Sequence, residues 1–194
     1  MPPYYEIFVR LVAPYHAVLV HFPVAIWTTV ALIVFFRAVS DGALAKAGDR
    51  ILVPILLLSV VSAVAAYLSG FLIFPVKAAG ASPLIRNHIV TASWSLAFWI
   101  AFLFTRWIHG ETVWQGAKRW VMVGLALLGT IQIVITGTLG GHIAGNPTTA
   151  ALVIQWLGWD VYHTFFVPNV MLWVMAGAII ALPVLGWWGS RQSS

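Results

Sequence analysis

The sequence predicts an all-helical integral membrane bundle of about five transmembrane helices. Three observations predict it. Of the 194 residues, 61% are hydrophobic and only 8% are charged, against about 25% charged in an ordinary soluble domain. The mean hydropathy is +0.96. Several apolar runs also approach the roughly 20 residues that an α-helix needs to cross the hydrocarbon core. So few charges cannot coat a water-facing surface of this size, and the chain reads as a single membrane domain.

The spans follow in order along the chain. The first runs from about Pro14 to Phe36 and stops at Arg37. Pro23 lies inside it and removes one backbone hydrogen bond, which frees the carbonyl of Leu19 and predicts a kink. A polar link, Ser40 to Arg50, leads to the second span, Ile51 to about Phe74. A short loop with Lys77 and Arg86 leads to the third, His88 to about Ile108. A charged loop with His109, Glu111, Lys118 and Arg119 precedes the fourth, Trp120 to about Gly140. Residues 14–140 would thus form a four-helix core. The segment 141–162 is turn-rich at first and then apolar over Thr149–Trp159, too short to span. It reads as an interfacial helix or re-entrant loop with Trp156 and Trp159 at headgroup depth, a sixth span being the alternative. A fifth span is predicted over 163–188. The opening fifteen residues carry Glu6, Arg10 and early prolines and do not read as a cleaved signal peptide.

Small residues mark helix contacts. Ser62, Ala66 and Gly70 recur along one face of the second span, and Gly137 and Gly141 form a G-x-x-x-G at the end of the fourth, both patterns that let helices approach closely in lipid. Lys and Arg set the orientation. With the N-terminus outside, the inner segments hold Arg37, Lys46, Arg50, Arg106, Lys118, Arg119 and Arg191, and the outer ones only Arg10, Lys77 and Arg86. The bias predicts an outer N-terminus and an inner C-terminus. The net charge of +5 is scattered, so no nucleic-acid patch is formed.

On this topology every histidine but His109 lies at the outer face. His16 and His21 are in the first span, His88 opens the third, His142 follows the fourth and His163 opens the fifth. Ionisable groups within spans are costly and mark functional pathways. Neutral imidazole is a good ligand for haem iron and for copper, iron or zinc. The chain has no cysteine, which excludes thiolate-held metal, iron–sulfur clusters and thioether-attached haem. His21 lies about 7.5 Å deeper than His16 and about 140° around the helix, so those two cannot grip one iron from opposite sides. His21 and His88 are the first expected axial pair for a b-type haem. His142 and His163 would be a second pair or alternative ligands, and His16 an additional candidate. Arg10, Lys77 and Arg86 lie at the level where haem propionates would sit. The number of haems, one or two, stays open. A non-haem copper, iron or zinc site built from His16, His21, His88 and His142 is the second possibility, and a structural or assembly subunit the third. No catalytic triad or phosphate loop is present, and independent enzyme activity is not expected.

The motif His16-x-x-x-Val20-His21-Phe22-Pro23-Val24-Ala25 resembles the opening signature of a bacterial family of small membrane proteins of unknown function. Gly70, Arg86-Asn87-His88 and Thr136-Gly137-Thr138-Leu139-Gly140-Gly141 resemble its later landmarks, and the likeness covers roughly residues 14–145. The family carries an acidic residue after the glycine pair where this chain has His142, and its core has four spans where this chain adds a fifth with His163. The resemblance carries over His16, His21 and His88 only. It implies a multi-pass protein of the bacterial inner membrane, with the outer face periplasmic. Because family members are associated with redox proteins, including Rieske-type fusions, it also implies a redox setting. The leading expectation is a membrane b-type cytochrome subunit. It would pass electrons between a periplasmic redox protein or other subunits of a membrane complex, haem b and the quinone pool.

Overall fold

A computed structural model describes residues 3–73, 81–158, 160, 162, 163, 177, 181 and 184. Helix α1 (Pro3–Val12) joins through a 3-10 turn, Ala13–Tyr15, to α2 (His16–Val39). Helices α3 (Ala43–Ile73), α4 (Pro83–His109) and α5 (Lys118–Ile143) follow, and a short α6 (Ala150–Trp156) comes after α5. Helices α2 to α5 carry 24 to 31 residues each. At 1.5 Å per residue, each exceeds a hydrocarbon core about 30 Å thick. All four are apolar enough to cross a membrane. Their outward faces are greasy: Leu32, Leu58, Val61, Leu68, Val121 and Leu128 are exposed, as suits side chains solvated by lipid rather than water. The protein is therefore an all-helical transmembrane bundle. The expected fifth span, 163–188, falls almost wholly outside the described residues, and so does Lys77.

Local signals set the helix ends. Ser82 caps α4, its hydroxyl accepting from the Ile85 amide ahead of Pro83 in the first turn. Gly110, at φ +52°, ends the same helix by bonding back to the Arg106 carbonyl, a conformation that favours glycine. Pro23 and Pro54 lie inside α2 and α3 without ending either helix.

The second helix starts earlier than its charges suggest. The polar link expected over Ser40–Arg50 shrinks to a few residues, because α3 begins at Ala43 and takes Lys46, Asp49 and Arg50 into its first turns. Asp49 tolerates this position because its carboxylate accepts two bonds from Arg106 of α4, at 3.0 Å from Nε and 2.9 Å from Nη2. Nearby, the buried Arg37 pairs with Asp41 and lies over the Trp114 ring at 5.4 Å. Asp41 sits in the link outside the membrane, and the hydrogen bond from Arg37 holds its carboxyl below the usual range.

The four long helices form a ring. Helix α2 packs against α3 and α5, and α4 packs against the same two, so α2 and α4 face each other across the diagonal. The two halves repeat. One constant interval in the chain carries the buried Pro23, Trp27, Val30 and Ala31 of α2 onto the buried Ser95, Trp99, Phe102 and Leu103 of α4. A second constant interval carries Leu52, Leu56, Ser59, Ala63 and Ser69 of α3 onto Met122, Ala126, Gly129, Ile133 and Leu139 of α5, again all buried. The hairpins α2–α3 and α4–α5 are thus related by a pseudo-twofold axis running along the bundle. On that axis the equivalent Trp27 and Trp99 stack, with centroids 5.4 Å apart and planes within 6°. Gly129 makes the notch for this stack, since a Cβ there would come within 2.8 Å of Trp99 and 2.9 Å of Phe98. Gly129→Ala should therefore cost about 1–3 kcal/mol by overpacking. An unfolding midpoint in detergent equal to or above that of the parent would contradict this.

Candidate histidine site

The pseudo-twofold relation extends to one end of the bundle. His16 opens α2 just after Pro14 turns the chain out of α1. Its Nδ1 lies 3.0 Å from the Ala66 carbonyl and 3.0 Å from the Ser69 hydroxyl, both on α3. Its ring rests on Gly70, where a Cβ would stand 3.1 Å from Cε1. His88, the α4 equivalent of His16, repeats the arrangement on α5. Its Nδ1 lies 3.1 Å from the Thr136 carbonyl, and a Cβ on Gly140 would stand 3.1 Å from its Cε1. Ala66 and Thr136 each sit one turn before their glycine. Each histidine thus lies against the backbone of the next helix, over a glycine, with one nitrogen pinned to a carbonyl.

This pinning decides the tautomer. A backbone carbonyl can only accept, so the ring proton of both histidines is assigned to Nδ1 and the lone pair to Nε2. Among the described residues neither Nε2 has a hydrogen-bond partner. A histidine whose Nδ1–H is held by a carbonyl and whose Nε2 is bare is prepared as a metal ligand. Both imidazoles are half-buried.

The remaining candidates are placed elsewhere. His21 is exposed and its Nδ1 bonds to the Ala17 carbonyl one turn back on its own helix. His21 is thus held against its own helix, whereas His16 is the residue that stands one repeat interval from His88 and bonds to the next helix. His142 is in the last turn of α5, two residues past Gly140 and so about 200° around the helix from it, turned away from His88. Its Nδ1 meets the Tyr162 hydroxyl at 2.8 Å, with the two rings edge to face. His163 is exposed and bonds to Asp160 at 2.9 Å. That hydrogen bond holds the Asp160 carboxyl below the usual range. His142 and His163 thus take separate Nδ1 partners, and the Nε2 of His142 is buried with no hydrogen-bond partner among the described residues. Arg86 is half-buried just before His88 on α4, and Arg10 is exposed on α1.

The glycine expectation changes too. A Cβ on Gly137 would meet nothing within 4 Å among the described residues, and Gly141 packs on the backbone of its own following loop at Asn146. Gly140, between them, meets His88. Sequence reading also passed over the carbonyls of Ala66 and Thr136, which have no side-chain signature, and Ser69. The signal that could have found the pair is the repeat itself: His16 precedes Trp27 by the same interval as His88 precedes Trp99.

The donor set limits the chemistry. Among the described residues no three His, Cys, Asp or Glu side chains gather at one point. A protein-only zinc site takes three or four such ligands. Two carbonyl-pinned imidazoles suit a group that brings its other ligands with it, as haem brings four pyrrole nitrogens. The fold and site define a class: a membrane-embedded four-helix unit with a pseudo-twofold pair of tautomer-fixed histidines at one end. Comparison with known protein families, curated proteins and solved structures finds no match to the chain.

Proposed function

We propose that this protein is a b-type cytochrome subunit that holds one haem between His16 and His88. The observation that carries the reading is the pair of equivalent, carbonyl-pinned imidazoles whose Nε2 atoms have no hydrogen-bond partner among the described residues. Haem iron, when bound, cycles between its ferric and ferrous states and so carries one electron. The residues of this chain do the rest. The Ala66 and Thr136 carbonyls hold each ring proton on Nδ1. Gly70 and Gly140 leave room for the rings. Arg86, on the same end of α4, offers a cation for a propionate. In this reading the histidine end faces the periplasm of a bacterial inner membrane, where a redox protein or partner subunit would exchange electrons with the haem, and quinone would supply or take them from within the bilayer. The Lys and Arg bias toward the opposite end supports that orientation.

The test is a reduced-minus-oxidised spectrum and pyridine haem quantification on protein purified in detergent. Parent protein and His21→Ala should carry haem b near one per chain, while His16→Ala and His88→Ala should each lose most of it. Metal without porphyrin in the parent, or haem retained at full stoichiometry in both His16→Ala and His88→Ala, would overturn the reading.

A further inference from the structure

We propose that Ser69 sets the electronic difference between two otherwise equivalent axial histidines, and so tunes the potential of the site. The inference rests on the haem reading above. The pseudo-twofold relation makes the comparison internal to the molecule. The same interval that carries Ala66 onto Thr136 and Gly70 onto Gly140 carries Ser69 onto Leu139. Both residues are buried, at 4% and 0% exposure, so water does not stand in for a missing hydroxyl at either position. Among the described residues His88 therefore has one acceptor on its Nδ1–H, the Thr136 carbonyl. His16 has two, the Ala66 carbonyl and the Ser69 oxygen, each at 3.0 Å. The Ser69 hydroxyl is oriented for this role: its own proton goes to the Ala66 carbonyl at 2.7 Å, which leaves its lone pairs to the imidazole.

An added acceptor pulls the ring proton away from Nδ1 and makes Nε2 a stronger donor to iron. A stronger axial donor stabilises the ferric state over the ferrous and lowers the reduction potential; hydrogen bonding around the ligands is one of the protein's levers on haem. Ser69 touches the histidine and would act on the group only through it, so it is a positioning residue.

The experiment is a redox titration of the purified, haem-loaded protein and three variants. Ser69→Ala should keep its haem and shift the midpoint upward. Ser69→Thr retains the hydroxyl and should restore the parent value. Leu139→Ser offers His88 the acceptor it lacks and should shift the midpoint downward, the opposite sign to Ser69→Ala. Should Ser69→Ala fold poorly, the Thr and Leu139→Ser variants still carry the test. Full haem loading with an unchanged midpoint in both Ser69→Ala and Leu139→Ser overturns the inference while leaving the haem reading intact. A parent protein that binds no haem overturns both.

Discussion

Asp49→Ala is expected to destabilise the folded bundle by about 3–5 kcal/mol, the cost of leaving a buried charge without its partner. The carboxylate is 4% exposed and accepts from both Nε and Nη2 of Arg106, whose own exposure is 7%. The pair ties the start of α3 to the last turns of α4, so its loss strands the guanidinium between two apolar helices. Arg106→Ala should be comparably severe. Replacing both, Asp49→Leu with Arg106→Leu, should recover much of the loss, because two well-packed apolar side chains leave no orphaned charge. The four proteins form a double-mutant cycle, read by reversible unfolding in mixed detergent micelles. A single variant within about 1 kcal/mol of the parent would show that water or lipid headgroups reach the pair.

Gly70→Leu and Gly140→Leu are each expected to abolish haem binding as completely as loss of the histidine, with the helices still formed. A Cβ at either position already stands 3.1 Å from an imidazole Cε1, so alanine must push the ring by a few tenths of an ångström and leucine must displace it. The helix itself gains by the change, since glycine is about 1 kcal/mol worse than alanine in a helix interior. Gly70→Ala and Gly140→Ala should therefore show a signature that separates site from fold: reduced haem stoichiometry with an undiminished unfolding midpoint. The pseudo-twofold relation requires the two losses to match. Gly137→Ala is the control, having nothing within contact range, and should keep its haem. A parental haem content in Gly140→Leu would refute the placement of His88.

The membrane class and the four long spans were legible in the sequence because lipid imposes a composition that no other environment asks for. The limits of α3 were not. Asp49 and Arg50 look like a loop when each charge is read alone, and only the position of Arg106 on another helix explains why one of them lies buried in a helix. The placing of histidines near span ends was legible from span boundaries, but which of them packs on the next helix was not. His21 looks the better ligand by depth. The choice of His16 depends on which face of α2 meets α3, and Gly70 and the Ala66 carbonyl decide that. Backbone acceptors leave no trace in side-chain identity. The twin intervals linking His16 to Trp27 and His88 to Trp99 were open to inspection, yet so weak a repeat gains meaning only when the equivalent side chains are found buried against one another.

The stacked tryptophans on the axis carry a consequence for ancestry. A residue that meets its own equivalent across a twofold axis is what self-association of identical subunits produces. A free-standing hairpin like α2–α3, pairing with a copy of itself, would already bring two indoles together at mid-bundle and two imidazoles together at one end. Joining two such copies in one chain keeps both meetings and removes the obligation to be identical. Ser69 and Leu139 then record the first freedom that fusion grants: each half can be altered without altering the other.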